Sequence, residues 1–221
     1  MIPRLSTYTP LQWLQKTVQH SVMVATAGVP AQLCHLVSAT GSFALNTILG
    51  RGDGTWAMSA GSLSVVTEPN PADGGNPYRL EMDADSGLTG IEFHAWALWV
   101  PELMGGAKPD IKDVVYLDFN SNYYQQWAER TAIPWNRPDL DSFSPLIGGP
   151  QYLNEVYRVA LMAKPNLAEM LCSLDHAPMM DCCREWLYLN HLNGWDLLTE
   201  EFKTQLAKQI SEVKANVAAV C

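Results

Sequence analysis

Cys34, His94 and Asp118 are the side chains whose types and order describe a chemistry. A cysteine attacks carbonyl carbon as its thiolate, and a helix N-terminus or a neighbouring imidazolium stabilises that anion. A histidine can hold the thiolate as an ion pair and later protonate a leaving group. A carboxylate behind the ring fixes its tautomer and balances its charge. About 60 residues separate Cys34 from His94 and 24 separate His94 from Asp118. Those gaps have room for a helix, several strands and one hairpin.

The elements needed to position these groups can be read from local pattern. GIEFHAWALWV and VVYLDFN read as two strands joined by the turn segment PELMGGAKPD. Alternation puts Glu92, His94, Trp96 and Leu98 on one face of the first strand, and Tyr116, Asp118 and Asn120 on one face of the second. An imidazole and a carboxylate among bulky apolar residues are costly to bury alone, so they are expected to hydrogen-bond each other across the ladder. Upstream, Pro30 suits a first helical turn and Gly50 a stop, which predicts a helix over about 30–49 with Cys34 near its start. The small residues Ser38, Ala39, Gly41, Ser42 and Ala44 on that helix favour close packing on a sheet.

Other elements frame this core. A short amphipathic helix is expected over 10–20, carrying an inert His20. Strands are expected near 55–67, with a bulge at Gly61, and at YRLEMD. NYYQQWAERT reads as a short helix and 132–150 as a long proline-bearing loop in which Trp135 and Phe143 overhang a cleft. Residues 152–163 read as a strand, and the remainder as helices: PNLAEMLCSL, APMMDCCREWLYLNHLN, and Thr199 to about Val220. The order predicts an α+β fold of one domain over 1–221, with helices segregated from an antiparallel sheet. Its catalytic-type core spans about 30–120, and 121–221 is helical and loop elaboration.

The strings FHAWALWV and VVYLDF, preceded by a cysteine at a helix start, resemble the Cys-His-Asp core of the transglutaminase-like branch of the papain-like cysteine-proteinase superfamily. The resemblance covers roughly Pro30 to Asn120. It implies a papain/transglutaminase-like fold with a central N-terminal helix on an antiparallel sheet. It also implies a triad of Cys34, His94 and Asp118 that passes an acyl group through a thioester to water (amide hydrolase, protease, deamidase) or to an amine (transglutaminase). The sequence departs from the family at AQLCHLV, where a Gly-x-Cys or Trp-type context is usual, and at Phe119, where many members have proline. A peptide, protein or small amide would be the substrate, and no cofactor or metal is called for.

The alternative is a non-catalytic binding or scaffold protein that keeps the fold while Cys34 serves as a small buried hydrophobe. Arylamine or acyl-CoA acetyl transfer is disfavoured, because the Arg-Gly-Gly-Tyr-Cys context of those enzymes is missing. Gln32 is the side-chain amide best placed to join the Cys34 backbone N–H as an oxyanion donor, although plain helix surface explains it as well. His35 follows Cys34 but points about 100° away around a helix, as a satisfied surface or groove residue. Cys172, His176, Cys182, Cys183 and His191 lack metal-binding spacing and are read as core packing.

Composition narrows the partners. With 14 Lys and Arg against 23 Asp and Glu, a formal charge of −9 and no basic cluster, a nucleic-acid partner is not expected. The first 20 residues lack the pattern of a cleaved signal, and no stretch is long and apolar enough to predict a membrane span. Five cysteines, odd in number and unevenly spaced, do not make a disulfide framework. A cytoplasmic location is expected; a protein exported without a cleaved signal would read the same way.

Overall fold

The computed structural model describes residues 8–28, 33–50, 52, 54–69, 72, 74–84, 93–102, 110, 113–140, 144–173, 176–193 and 199–220, without the side chains of 69 and 216–220. It is α+β, with a curled antiparallel sheet between two layers of helix. Helix α1 (Pro10–Thr26) starts from a capping box in which Thr9 and Gln12 bond each other's backbone, with Pro10 at its first turn. It runs a turn and a half past the predicted end and stops at Ala27 in the left-handed region. Helix α2 (Cys34–Leu49) closes at Gly50 as expected.

Strand β1 (Gly54–Pro69) is the spine. One of its edges carries β2 (Pro77–Met82) opposite residues 63–69. Its other edge is shared end to end. β3 (His94–Pro101) pairs residues 54–61, and β6 (Val159–Ala163) pairs residues 61–65. The two meet at Gly61, which lies opposite both His94 and Ala163. A Cβ at Gly61 would sit 2.0 Å from the Met162 carbonyl oxygen, so only glycine fits there. The expected bulge is not at Gly61; the register shifts between Val66 and Pro69, where the strand reaches the sheet margin.

Beyond β3 the sheet continues through β4 (Val115–Asp118) and β5 (Leu146–Gly148). Helix α3 (Tyr124–Arg130) follows a 3-10 turn at Ser121–Tyr123. The remaining helices are α4 (Pro150–Val156), α5 (Pro165–Leu171), α6 (Ala177–Leu187), running into a π-helical turn at Tyr188–Leu192, and α7 (Glu200–Val220).

Two further expectations need correction. The 132–150 segment is not all loop, because Leu146–Gly148 pairs with the free edge of β4. Residues 152–163 are not one strand: Pro150 starts a helix, and Arg158 at φ 50° turns the chain into β6. Helices cover both faces of the sheet. Leu14, Val18, Val37, Leu45, Leu117 and Phe119 form a core on the face covered by α1, α2, α6 and α7. On the other face Trp96, Tyr116, Tyr124, Trp127 and Leu153 form a second core. Trp96 and Trp99 anchor opposite faces of β3, as their alternation predicts. Trp135 packs against the second core, while Phe143 lies outside the described residues.

Candidate active site

His94 opens β3 and Asp118 ends β4, and neither exposes any surface. The β3–β4 register sets Leu98 opposite Tyr116 and Ala97 opposite Leu117, so Asp118 falls opposite Trp96. His94 is therefore the diagonal neighbour of Asp118 on the same face, a separation that long side chains can bridge. They do so: Nε2 of His94 is 2.6 Å from Oδ2 of Asp118. The imidazole sits among aromatic rings, with the Trp127 centroid at 5.3 Å and the Trp96 centroid at 6.1 Å.

The carboxylate is fixed on every side. Its Oδ1 accepts the Asn120 backbone N–H at 2.8 Å, and Oδ2 also accepts the Tyr124 hydroxyl. Its own carbonyl takes a bond from Ser121 Oγ at 3.3 Å, and Ser121 in turn receives the Leu146 N–H at 3.1 Å. The turn after Asp118 is tied to α1. The Phe119 carbonyl accepts from Gln15 Nε2 at 3.0 Å and Gln19 Nε2 at 2.6 Å, and both amides also donate to Asn122 Oδ1 at 2.9 Å. The Phe119 ring lies under α2, where a Cβ on Gly41 would come within 2.2 Å of it. Glycine at 41 lets the helix that starts with Cys34 pack directly over the strand end that carries Asp118.

Cys34 is the first residue of α2 and 7% exposed. Leu33 precedes it and makes no side-chain cap to the N–H groups of the first turn. Its Sγ is 3.9 Å from the carbonyl oxygen of Phe93, the residue before His94. Burial alone would lower the His94 pKa, but the charge and hydrogen bond of Asp118 reverse this, and Cys34 adds a smaller push. The result is a strongly basic imidazole, raised to about 10. Among the described residues the buried ring nitrogen Nδ1 has no hydrogen bond of full geometry, and Cys34 pushes the ring's basicity up through a looser side-chain hydrogen bond and then its charge. Burial and then Asp118 push the Tyr124 phenol far above its ordinary range, and Cys34 contributes there too.

Gln32 lies outside the described residues, as does Glu92. His35 is not drawn into the cluster. It faces His176, with ring centroids 5.4 Å apart, and burial and then that neighbour push its pKa down to about 4. Cys172 and Cys182 are exposed, while Cys183 is buried, its thiol pushed up to about 11 by burial and by Cys182. Among the described residues no three His, Cys, Asp or Glu side chains converge as metal ligands, and no helix is long and apolar enough to cross a membrane. A pocket of about 330 Å³ lined by Thr67, Glu68, Arg137 and Arg158 sits past Gly61 along β1, away from Cys34.

Sequence reading missed Tyr124, Gln15 and Gln19. Two glutamines four apart on the buried face of α1 were the available signal, since a buried amide requires a partner.

No known family profile matches the chain, and no curated protein matches it. A solved chain described as "The crystal structure of genomics APC5867" is similar over 85% of this chain and 81% of its own length, at 15% identity and a TM-score of 0.46.

Proposed function

We propose that this protein is a cysteine-dependent acyl-transfer enzyme with a papain/transglutaminase-like fold, using Cys34 as nucleophile, His94 as proton carrier and Asp118 as the group that orients and charges the imidazole. The observation that supports it best is the fully buried 2.6 Å contact between His94 Nε2 and Asp118 Oδ2, with Cys34 bearing on the same ring. A buried charged pair is an expensive way to stabilise a core. An ion pair with a cysteine beside it at an uncapped helix start is what a thiol catalyst requires.

In this reading the Cys34 sulfur attacks the carbonyl carbon of an amide or ester, and the carbonyl electron pair moves onto oxygen. The backbone N–H groups at the start of α2 stabilise that oxyanion. His94, protonated through the exchange with the thiol, gives its proton from Nδ1 to the leaving amine or alcohol as the C–N or C–O bond breaks, leaving a thioester on Cys34. Water or an amine then attacks the thioester, loses its proton to His94, and releases the thiol. Asp118 stays ionised throughout and stabilises the imidazolium.

The second reading, a binding or scaffold protein, draws on the closure of the site: His94 is fully buried and Cys34 nearly so. One experiment separates them. Iodoacetamide at pH 6, with labelling read by peptide mass spectrometry, should modify Cys34 ahead of the other four cysteines, even though Cys172 and Cys182 are exposed. An activated ester probe should then leave a hydroxylamine-labile acyl group on Cys34. Labelling that follows exposure, with Cys172 and Cys182 first, overturns the enzyme reading.

A further inference from the structure

We propose that Tyr124 is a positioning residue whose hydroxyl, by donating to the same Asp118 oxygen that holds His94, weakens the grip of the carboxylate on the imidazole and so sets how readily His94 gives up its proton. The role of that proton in acyl transfer rests on the function proposed above; the effect on His94 does not.

The argument begins with the shared atom. Asp118 Oδ2 accepts from both His94 Nε2 and the Tyr124 hydroxyl, while Oδ1 is taken by the Asn120 N–H. A carboxylate oxygen that already accepts one strong charge-assisted bond is a weaker acceptor for a second, because each donor draws charge from it. Tyr124 is fully buried at the start of α3, and its ring centroid stands 5.9 Å from that of His94, so the hydroxyl has no water to turn to. Burial and then the adjacent carboxylate push the phenol well above its ordinary pKa, which favours the protonated, donating form.

The groups that act on His94 come from three elements: Asp118 on β4, Tyr124 on α3 and Cys34 on α2. Asp118 and Cys34 raise its basicity. Tyr124, acting through Asp118, opposes the rise. An imidazole that holds its proton too tightly is a poor general acid near neutral pH, so a restraint on its basicity suits a proton carrier.

The experiment follows the His94 ring by NMR in the full chain from pH 6 to 11, the signal assigned by its loss in His94→Gln. Tyr124→Phe removes one oxygen and keeps the ring in the core. It should move the His94 midpoint upward by on the order of one pH unit. Incorporating 3-fluorotyrosine at position 124, a more acidic phenol of nearly the same size, should move the midpoint the other way, with no fold at risk. A midpoint that stays put in both proteins, or moves in the same direction in both, overturns the proposal; a merely structural tyrosine would change melting temperature without this opposed pair of shifts. If Cys34 is inert to acyl probes while the opposed shifts occur, the acyl-transfer reading fails and this one stands. If Cys34 is reactive and the midpoint does not respond, the reverse holds.

Discussion

Asp118 Oδ2 lies 2.6 Å from His94 Nε2, and neither residue exposes surface, so their charges are balanced inside the protein by each other and by the Asn120 N–H and Tyr124 hydroxyl. Removing either partner leaves the other uncompensated, and the consequences separate by side chain.

Asp118→Asn preserves volume but removes the charge that holds the imidazolium, and its amide can select the wrong tautomer. The Cys34 alkylation rate should fall by on the order of 10 to 10³ while the fold survives. Asp118→Ala should cost about 3 to 5 kcal/mol in a denaturant titration, because a buried imidazole is left unpaired. Unchanged alkylation in a folded Asp118→Asn protein would remove Asp118 from the catalytic assignment. Asn120 then becomes the next candidate: it already supplies a backbone N–H to the carboxylate, and its buried side-chain amide has no partner among the described residues.

His94→Ala should erase the preference of iodoacetamide for Cys34 at pH 6, bringing its rate to that of the buried Cys183 or below. Retained selectivity would mean that Cys34 is activated by the start of α2 alone.

Stability should peak near pH 6.5. His94 has a raised folded-state pKa, so the stability it contributes is fully present below its unfolded value near 6.5 and is lost as pH rises toward about 10. His35 and His191 have folded pKa values pushed down to about 4, by burial and then by His176 and His20 respectively. Through them the unfolded chain binds more protons between about 4 and 6.5, so stability falls on the acid side. Melting temperatures measured from pH 4 to 10 should trace this dome. His94→Gln should flatten its alkaline limb and leave the acid limb, which His35→Phe should soften.

Gly41→Ala sets a methyl 2.2 Å from the Phe119 ring, which has core on every side. The expected loss is about 1 to 3 kcal/mol by chemical denaturation. Because Phe119 adjoins Asp118, Cys34 alkylation should slow in the same protein even where it remains folded.

Gln15→Leu with Gln19→Leu removes the donors to the Phe119 carbonyl. A loss of about 1 to 3 kcal/mol is expected, together with a lower alkylation rate as the turn behind Asp118 loosens. Full stability and reactivity in the double variant would show that the α1 clamp is dispensable.

The sequence by itself determined what each segment could be. The apolar, small-residue run ending at Gly50 specified a buried helix with Cys34 at its first turn. Period-two alternation assigned Trp96 and Trp99 to opposite cores and grouped His94 with Trp96 and Asp118 with Tyr116, because the pleat of a strand allows nothing else; the β3–β4 register then put the two groups on one face. Tertiary structure decided what no local period encodes. Leu146–Gly148 is too short to declare itself and becomes a strand because β4 offers unpaired backbone groups. The 150–163 stretch divides at Arg158, where β6 must turn to lie on the edge of β1 past Gly61. Tyr124 looks in sequence like any aromatic on a short helix. It faces Asp118 because a buried carboxylate needs every donor within reach, and only the packing of α3 over the second core determines which donors those are.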